Sequence, residues 1–501
     1  MDFNTIPAAG SLRTPLFFLE MDSSQAGSQI VGASAALFVG NMITAGGGAG
    51  TATPQDLIRS NSRSQDASLF GAGSELAEAI GAFRSNNLQA EIWAVPYADA
   101  GAGVASEHTL TIAGTATADG VFSYYIGGKL VNVPVTATDT SATVATALRA
   151  AINADLDLSV TAGGTGSDIV TIAKHKAEFS DHINHQVNLL GESGGEALPA
   201  GITVTSLTKT VAGATDPDIT GLGAIVGSER FDFVHHPYRS AASLNAIEAF
   251  HNHTTGRWAY HNAAYGHAGT AARDTVGNLS TLGNGRNDPH SFLLGMEPIP
   301  SQPWEVSAAA WGACYSSLSN NPGDPLQTLE LVGIVPAPKA LRFTQLERNV
   351  LLFDGVATLY TDAANKVRIE RLVTTYQLDA FGGADDSYLD TETLFQIMYL
   401  NRAYAAMTSN KLARVRLVND GTFLPSGSNA VTPQTVKGLI IAEYKRLEAL
   451  GIVENADLFA ANVTVERPLG DPNRLDVLLP PDLQNQLRVL AVKNQFHLQL
   501  T

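Results

Sequence analysis

The 501 residues carry 31 Lys and Arg against 48 Asp and Glu, a net charge of −17. That balance argues against nucleic acid or an anionic membrane as a direct partner. Hydrophobic content of 45% with 16% charged residues describes a globular protein, long enough for about two to four domains. Cys314 is the only cysteine, which excludes an intrachain disulfide and a cysteine metal site. No apolar run reaches the roughly 20 residues that span a bilayer. Met1-Asp2-Phe3-Asn4 lacks the basic and apolar parts of a secretory leader, so maturation in a reducing cytoplasm is expected.

Residues 1–29 read as an extended arm. Pro7, Gly10 and Pro15 break it, Leu16-Phe17-Phe18-Leu19 gives it one short strand, and Asp22 to Ser28 is linker-like. From residue 30 to about 100 the grammar is α/β. Ala35 to Gly40 is a buried-strand run, Thr53-Pro54 looks like a helix opening, Ser74 to Asn86 has helical spacing, and Glu91 to Pro96 is the next strand. Residues 101–213 change character to Thr, Val, Ala and Gly, with strands at Leu110–Ile112, Phe122–Ile126, Val131–Val133 and Ile169–Ile172 around one helix, Thr143–Asn153. They form an inserted, mostly-β module.

The α/β grammar resumes over 214–365. Arg230–Val234, Arg257–Tyr260, Leu329–Ile334 and Asn349–Phe353 read as strands and Ala241–His251 as a helix. A C-terminal domain over 366–485 opens with a β-run, Val367–Tyr376. It continues with helices at Thr391–Met407 and Gln434–Leu450 and ends with the strand Asn462–Glu466. The last fifteen residues alternate. Leu490, Val492, Phe496, Leu498 and Leu500 occupy even positions, and Lys493, Gln495, His497 and Gln499 odd ones. Period 2 marks a strand with one buried face, and a terminus this apolar needs a sheet edge to pair with. Whether that edge is this subunit's or a neighbour's stays open from the pattern alone.

Candidate chemistry is sparse. Six of the 12 histidines fall between His235 and His267, and His251-Asn252-His253 resembles a chelate. No recognised metal spacing accompanies them, so polar packing at a subunit contact is the plainer expectation. Gly71-Ala72-Gly73-Ser74 matches neither the dinucleotide fingerprint, the Walker loop nor a nucleophile elbow. Asp385-Asp386 lacks the spaced ligands of a calcium loop. No cofactor is implied. The Gln434–Leu450 helix carries Lys437, Glu443, Lys445, Arg446 and Glu448, a mixed-charge face open to solvent or to a charged partner.

Several stretches resemble the Mu-like contractile phage tail sheath family: Phe3–Pro7 with Arg13–Phe17, Pro325–Leu329, Arg342–Thr344, Glu347–Asn349, Ile369–Arg371 with Thr374–Gln377, Ser387–Asp390, and Asp471–Leu483. The matches run nearly the whole chain in order. The resemblance implies a mechanical rather than an enzymatic protein with a subtilisin-like α/β core. Its subunits would stack as hexameric rings around an inner tail tube, between baseplate and neck or terminator proteins. They would assemble in the host cytoplasm into the virion tail, and contract to drive the tube through the host envelope without direct nucleic-acid contact or membrane insertion. A pyocin-like particle, a capsid or tube component, and an α/β hydrolase are the alternatives.

The resemblance also implies that the arm strands, Leu16–Leu19 and residues 486–501, join a neighbour's sheet, and that the charged helix at Lys437, Glu443, Lys445, Arg446 and Glu448 faces the tube. Burying the five even-position side chains is worth about 8–15 kcal/mol. Ordering some 12 residues costs about 1–2 kcal/mol each. One arm is therefore near neutral, and repetition over many subunits is what would hold a lattice.

Overall fold

The computed structural model describes residues 34–423, 425 and 427–496. The Leu16–Leu19 strand and the last part of the C-terminal arm, including Leu498 and Leu500, lie outside the described residues. The rest forms two compact units. The larger holds residues 34–398, 450–454 and 482–496. The smaller holds 399–449 and 455–481.

The large unit is built on one eight-stranded sheet. Its first part runs β1 (Ala35–Asn41), β2 (Ile58–Ser60), α1 (Arg63–Phe70), α2 (Glu75–Asn86) and β3 (Glu91–Tyr97). After the insertion come α4 (Leu222–Val226), β11 (Phe233–His235), α5 (Ala241–His251), β12 (His267–Arg273), α6 (Val276–Asn284) and β13 (Ser291–Met296). α7 (Pro303–Asn320), α8 (Gln345–Phe353), β14 (Ala357–Thr361) and β15 (Val367–Arg371) complete it. In space the order is β15-β14-β13-β12-β11-β1-β3-β2. The six inner strands are parallel, and the two outer ones run antiparallel to their neighbours.

Parallel strands between helical layers are buried on both faces, so they read as continuous apolar runs. β1 is buried along its whole length. β13 shows the two faces by alternation. Phe292 and Leu294 join the main core, while Leu293 packs with Leu279 of α6, Leu351 of α8 and Val356 on the other side. On the main side Trp311 of α7 stands edge-on to Phe233, at 5.2 Å between ring centroids, and its Nε1 donates to the Val234 carbonyl at 3.0 Å. Only glycine fits beneath it at position 269. A Cβ there would lie 2.3 Å from Phe292 Cζ and 2.7 Å from Trp311 Nε1.

The insertion leaves after β3 and returns before β11. It contains β4 (Glu107–Gly114), β5 (Gly120–Ile126), β6 (Lys129–Val135), α3 (Ser141–Ala154), β7 (Val160–Gly163), β8 (Asp168–Ala173), β9 (His185–Val187) and β10 (Ile202–Val211). They form a four-stranded sheet, β10-β4-β8-β7, and a three-stranded one, β6-β5-β9. Val144, Leu148 and Ile152 of α3 are buried.

α9 (Thr391–Lys411) begins in the large unit and ends in the small one. The small unit continues with a parallel pair of two-residue strands, β16 (Arg416–Leu417) and β17 (Ala430–Val431), then α10 (Pro433–Ala449). After β18 (Val453–Glu454), which pairs in the large unit with β21 (Asp482–Leu483), the small unit closes with α11 (Ala456–Asn462) and a hairpin, β19 (Thr464–Glu466) and β20 (Asp476–Leu478). Tyr444 of α10 stacks on Phe459 of α11 at 3.7 Å.

Four expectations from the sequence fail for identifiable reasons. Thr53-Pro54 opens no helix. Gln55 has φ of 65° and the chain turns into β2, while the first helix starts later, where the Ser62 side chain accepts from Gln65 N. Arg257–Tyr260 is a turn, held because Arg257 Nε donates to the Tyr265 carbonyl and Trp258 Nε1 to the Gly266 carbonyl. Leu329–Ile334 supplies one bridge, Glu330 to Arg368, rather than a strand. Asn349–Phe353 is helical in α8, where Thr344 and Glu347 form a reciprocal capping box.

Candidate assembly interface

The described part of the C-terminal arm takes no strand partner among the described residues. After β21 it runs on without regular structure to Phe496. Leu487, Val489, Leu490, Val492 and Phe496 are 69–79% exposed. A run of large apolar side chains in water is the kind of surface that marks an interaction site.

The small unit offers bare sheet edges. The β19–β20 hairpin pairs Thr464 with Leu478, Val465 with Val477 and Glu466 with Asp476, and neither strand pairs with a third among the described residues. An isolated two-stranded ribbon is marginal, and an open edge is a template for another strand. Leu469 is fully exposed and Leu478 largely so.

α10 distributes its charges unevenly. Glu443 is buried and accepts from Arg446 Nη2 at 2.6 Å and Nε at 3.0 Å. Glu448 accepts from Ala456 N at 2.9 Å, at the start of α11. Lys445 and Arg446 are exposed and Lys437 half-buried. Of the expected charged face Glu443 therefore turns inward, Lys437 and Glu448 are half-buried, and the exposed charges are Lys445 and Arg446.

A third surface was not anticipated. Leu346, Val350 and Phe353 lie at i, i+4 and i+7 on α8, 80%, 49% and 77% exposed, while Leu351 packs inward. Sequence reading missed it because α8 itself was taken for a strand.

The expected histidine surface is instead interior. His235, His236, His251 and His267 are buried, leaving only His253 and His261 of the six exposed. His235 Nε2 lies 3.1 Å from the Trp304 carbonyl and 3.0 Å from Ser307 Oγ. Burial pushes His235 down to about 3 and His236 to about 4, because a charged imidazole would lose its hydration there. His253 Nε2 and His290 Nε2 approach to 3.0 Å. Among the described residues no group of three or more His, Cys, Asp or Glu is arranged to hold a metal.

Open α/β sheets take ligands at the carboxyl ends of their strands. Here that end is filled. Asn41 donates through its N to Glu75 Oε2 at 2.9 Å and through Nδ2 to Asp99 Oδ1 at 2.8 Å, and it accepts from Tyr238 Oη at 2.7 Å. His175, supplied by the insertion, accepts the Glu75 N–H at Nε2 (3.0 Å) and faces Asp99 through Nδ1 at 3.0 Å. Ser74 is fully buried, and its Oγ caps α2 by accepting from Ala77 N.

Residues 212–375 match the phage tail sheath protein central domain, and residues 384–497 the phage tail sheath C-terminal domain. A Mu-like prophage FluMu tail sheath protein of Haemophilus influenzae is 34% identical over 99% of both chains. This chain belongs to the phage tail sheath family. Its role is that of a structural subunit. Among solved structures, a sheath tail protein of Desulfitobacterium hafniense is similar at 10% identity and a TM-score of 0.46, covering 94% of this chain and all of that one. A chain of the anti-feeding prophage baseplate is similar at 10% identity and a TM-score of 0.47, covering 97% and 100%. The central-domain match begins at 212, just where the insertion ends. The described part of the arm, the hairpin and α10 all fall inside the C-terminal match.

Proposed function

We propose that this sheath subunit polymerises as stacked hexameric rings around an inner tail tube, and that neighbouring subunits are joined by exchanged terminal strands. The single observation behind this reading is the arm itself: five large apolar residues, Leu487, Val489, Leu490, Val492 and Phe496, are 69–79% exposed and have no partner strand among the described residues. The open edges of the β19–β20 hairpin are the acceptor best matched to it. Strand addition draws affinity from main-chain hydrogen bonds and register from alternate side chains. A head-to-tail link that does not close on itself generates a helical polymer.

In this reading the assembled sheath is part of the virion tail, built in the host cytoplasm between baseplate and neck proteins, and its shortening drives the tube through the envelope. The basic face of α10, Lys437 and Lys445 with Arg446, turns toward the tube. The six parallel strands between helical layers serve as a subtilisin-like scaffold without a reaction, consistent with Ser74 Oγ being committed to an N-cap.

Removing residues 489–501 tests the reading. The expected product is a folded monomer with unchanged unfolding that forms no sheaths by negative-stain microscopy. Normal sheaths from that truncation overturn it. Reversing the charge at Lys437, Lys445 and Arg446 is expected to abolish co-sedimentation with tubes, and unchanged binding removes the tube-facing role.

A further inference from the structure

The C-terminal arm does not leave the large unit loosely. Gln486 and Arg488 turn inward while Leu487 and Val489 turn out, and from Val489 to Phe496 every residue is exposed. Arg488 Nη2 donates to Glu392 Oε1 at 2.9 Å and lies 3.2 Å from Asp390 Oδ1. Its Nη1 reaches Gln327 Oε1 at 3.4 Å. Asp390 in turn accepts a two-pronged pair from Arg371 of β15, at 2.8 and 2.9 Å. Glu392, whose side chain is fully buried in the first turn of α9, also accepts from Leu326 N at 3.0 Å.

Two further bonds hold the chain just before Arg488. Gln327 Nε2 donates to the Leu487 carbonyl at 3.1 Å, and Gln486 Nε2 to the Gly323 carbonyl at 3.3 Å. Two arginines and two carboxylates thus join β15, the start of α9, the 323–327 loop and the root of the arm. All of them belong to the large unit.

We propose that Arg371, Asp390, Glu392 and Arg488 form a clamp that sets the direction in which the arm leaves the subunit and places its pivot at Val489. The inference rests on the strand-exchange reading above and adds where the link can bend and where it is anchored. A guanidinium held by carboxylates at fixed angles defines orientation as well as attachment, which a greasy contact would not. Arg488 and Glu392 are positioning residues here: they act by aiming the exposed segment that follows. Load carried by an exchanged arm would pass first through Arg488 into α9 and β15.

The test uses the full chain with spin labels at Val489→Cys and Leu346→Cys, both highly exposed sites in the large unit, while Cys314 is fully buried. Arg488→Ala is paired with Glu392→Gln so that no unpaired charge is left buried. The parent is expected to show one narrow interlabel distance by pulsed electron paramagnetic resonance. The double variant is expected to melt as a folded protein, to lose that narrow peak, and to form few long sheaths. A peak as narrow as the parent's overturns the clamp, as does a broadened peak accompanied by normal sheaths. The arm truncation, run alongside, reports on strand exchange separately: sheaths that persist without residues 489–501 count against exchange, whereas the label distance reads the clamp alone.

Discussion

The eight-stranded sheet and the β19–β20 hairpin solve opposite problems. The large sheet hides itself: its six parallel strands are covered on both faces. Its β15 edge is closed by residues 328–331, where Thr328 N and Leu331 N donate to the Ile369 and Val367 carbonyls at 2.8 and 2.9 Å. The other edge, β2, is three residues long. The hairpin hides little, and among the described residues its edges take no third strand. In the strand-exchange reading, stability is concentrated where the chain has finished pairing, and assembly where it has not.

Perturbing each side in turn tests that division. Trp311→Ala removes the ring wedged between Phe233, Phe292 and Gly269, and is expected to cost about 3–5 kcal/mol in denaturant unfolding. A loss much below this would mean the sheet's centre is not where stability resides. His235→Gln probes the same layer through pH. Burial holds His235 near 3, whereas an unfolded histidine titrates near ~6.5. Such a group contributes its full stability above about pH 6.5 and loses it as pH falls toward the folded value, by about 1.4 kcal/mol per pH unit. Unfolding free energies measured from pH 7 down to 4 should therefore fall less steeply in the variant by about that slope. An unchanged slope would show that the imidazole is not held neutral.

On the other side, Leu490→Ser, Val492→Ser and Phe496→Ser together should shift unfolding by no more than about 0.5 kcal/mol, as for exposed positions generally, while sheaths disappear from micrographs. A large stability loss would place the arm within the subunit's own core. Leu346→Ser with Phe353→Ser should likewise leave stability within about 0.5 kcal/mol and shorten sheaths rather than abolish them. Unaltered lengths would make the α8 stripe idle surface.

Much of this was readable in residue order. β1, β3, α2 and α5 follow their patterns closely because burial and periodicity agree there, and Ser74 announces α2 as an N-cap. β12, His-Ala-Gly-Thr-Ala-Ala-Arg, was invisible since packing under Trp311 demands small residues that carry no strand preference of their own. α8 misled because Asn349–Phe353 is a continuous apolar run, which periodicity cannot assign. The Thr344–Glu347 capping box was the signal that could have corrected it. The arm's alternation was readable because it needs no tertiary partner, although its described residues, 487–496, carry no regular structure. Its clamp was not, since Arg371, Asp390, Glu392 and Arg488 come together only through the fold.

The position of the insertion also sets a schedule. β1 sits between β3, its near neighbour in sequence, and β11, which follows the whole 101–213 module; the Tyr238–Asn41 bond at this seam joins residues 197 apart. Closing so long a loop is entropically dearer when it is still unfolded, so collapse of the module first shortens the search. The β1–β11 seam is then among the last to zip during folding, and a nascent chain lacking the module's end has three of the eight strands and an unguarded β1 flank.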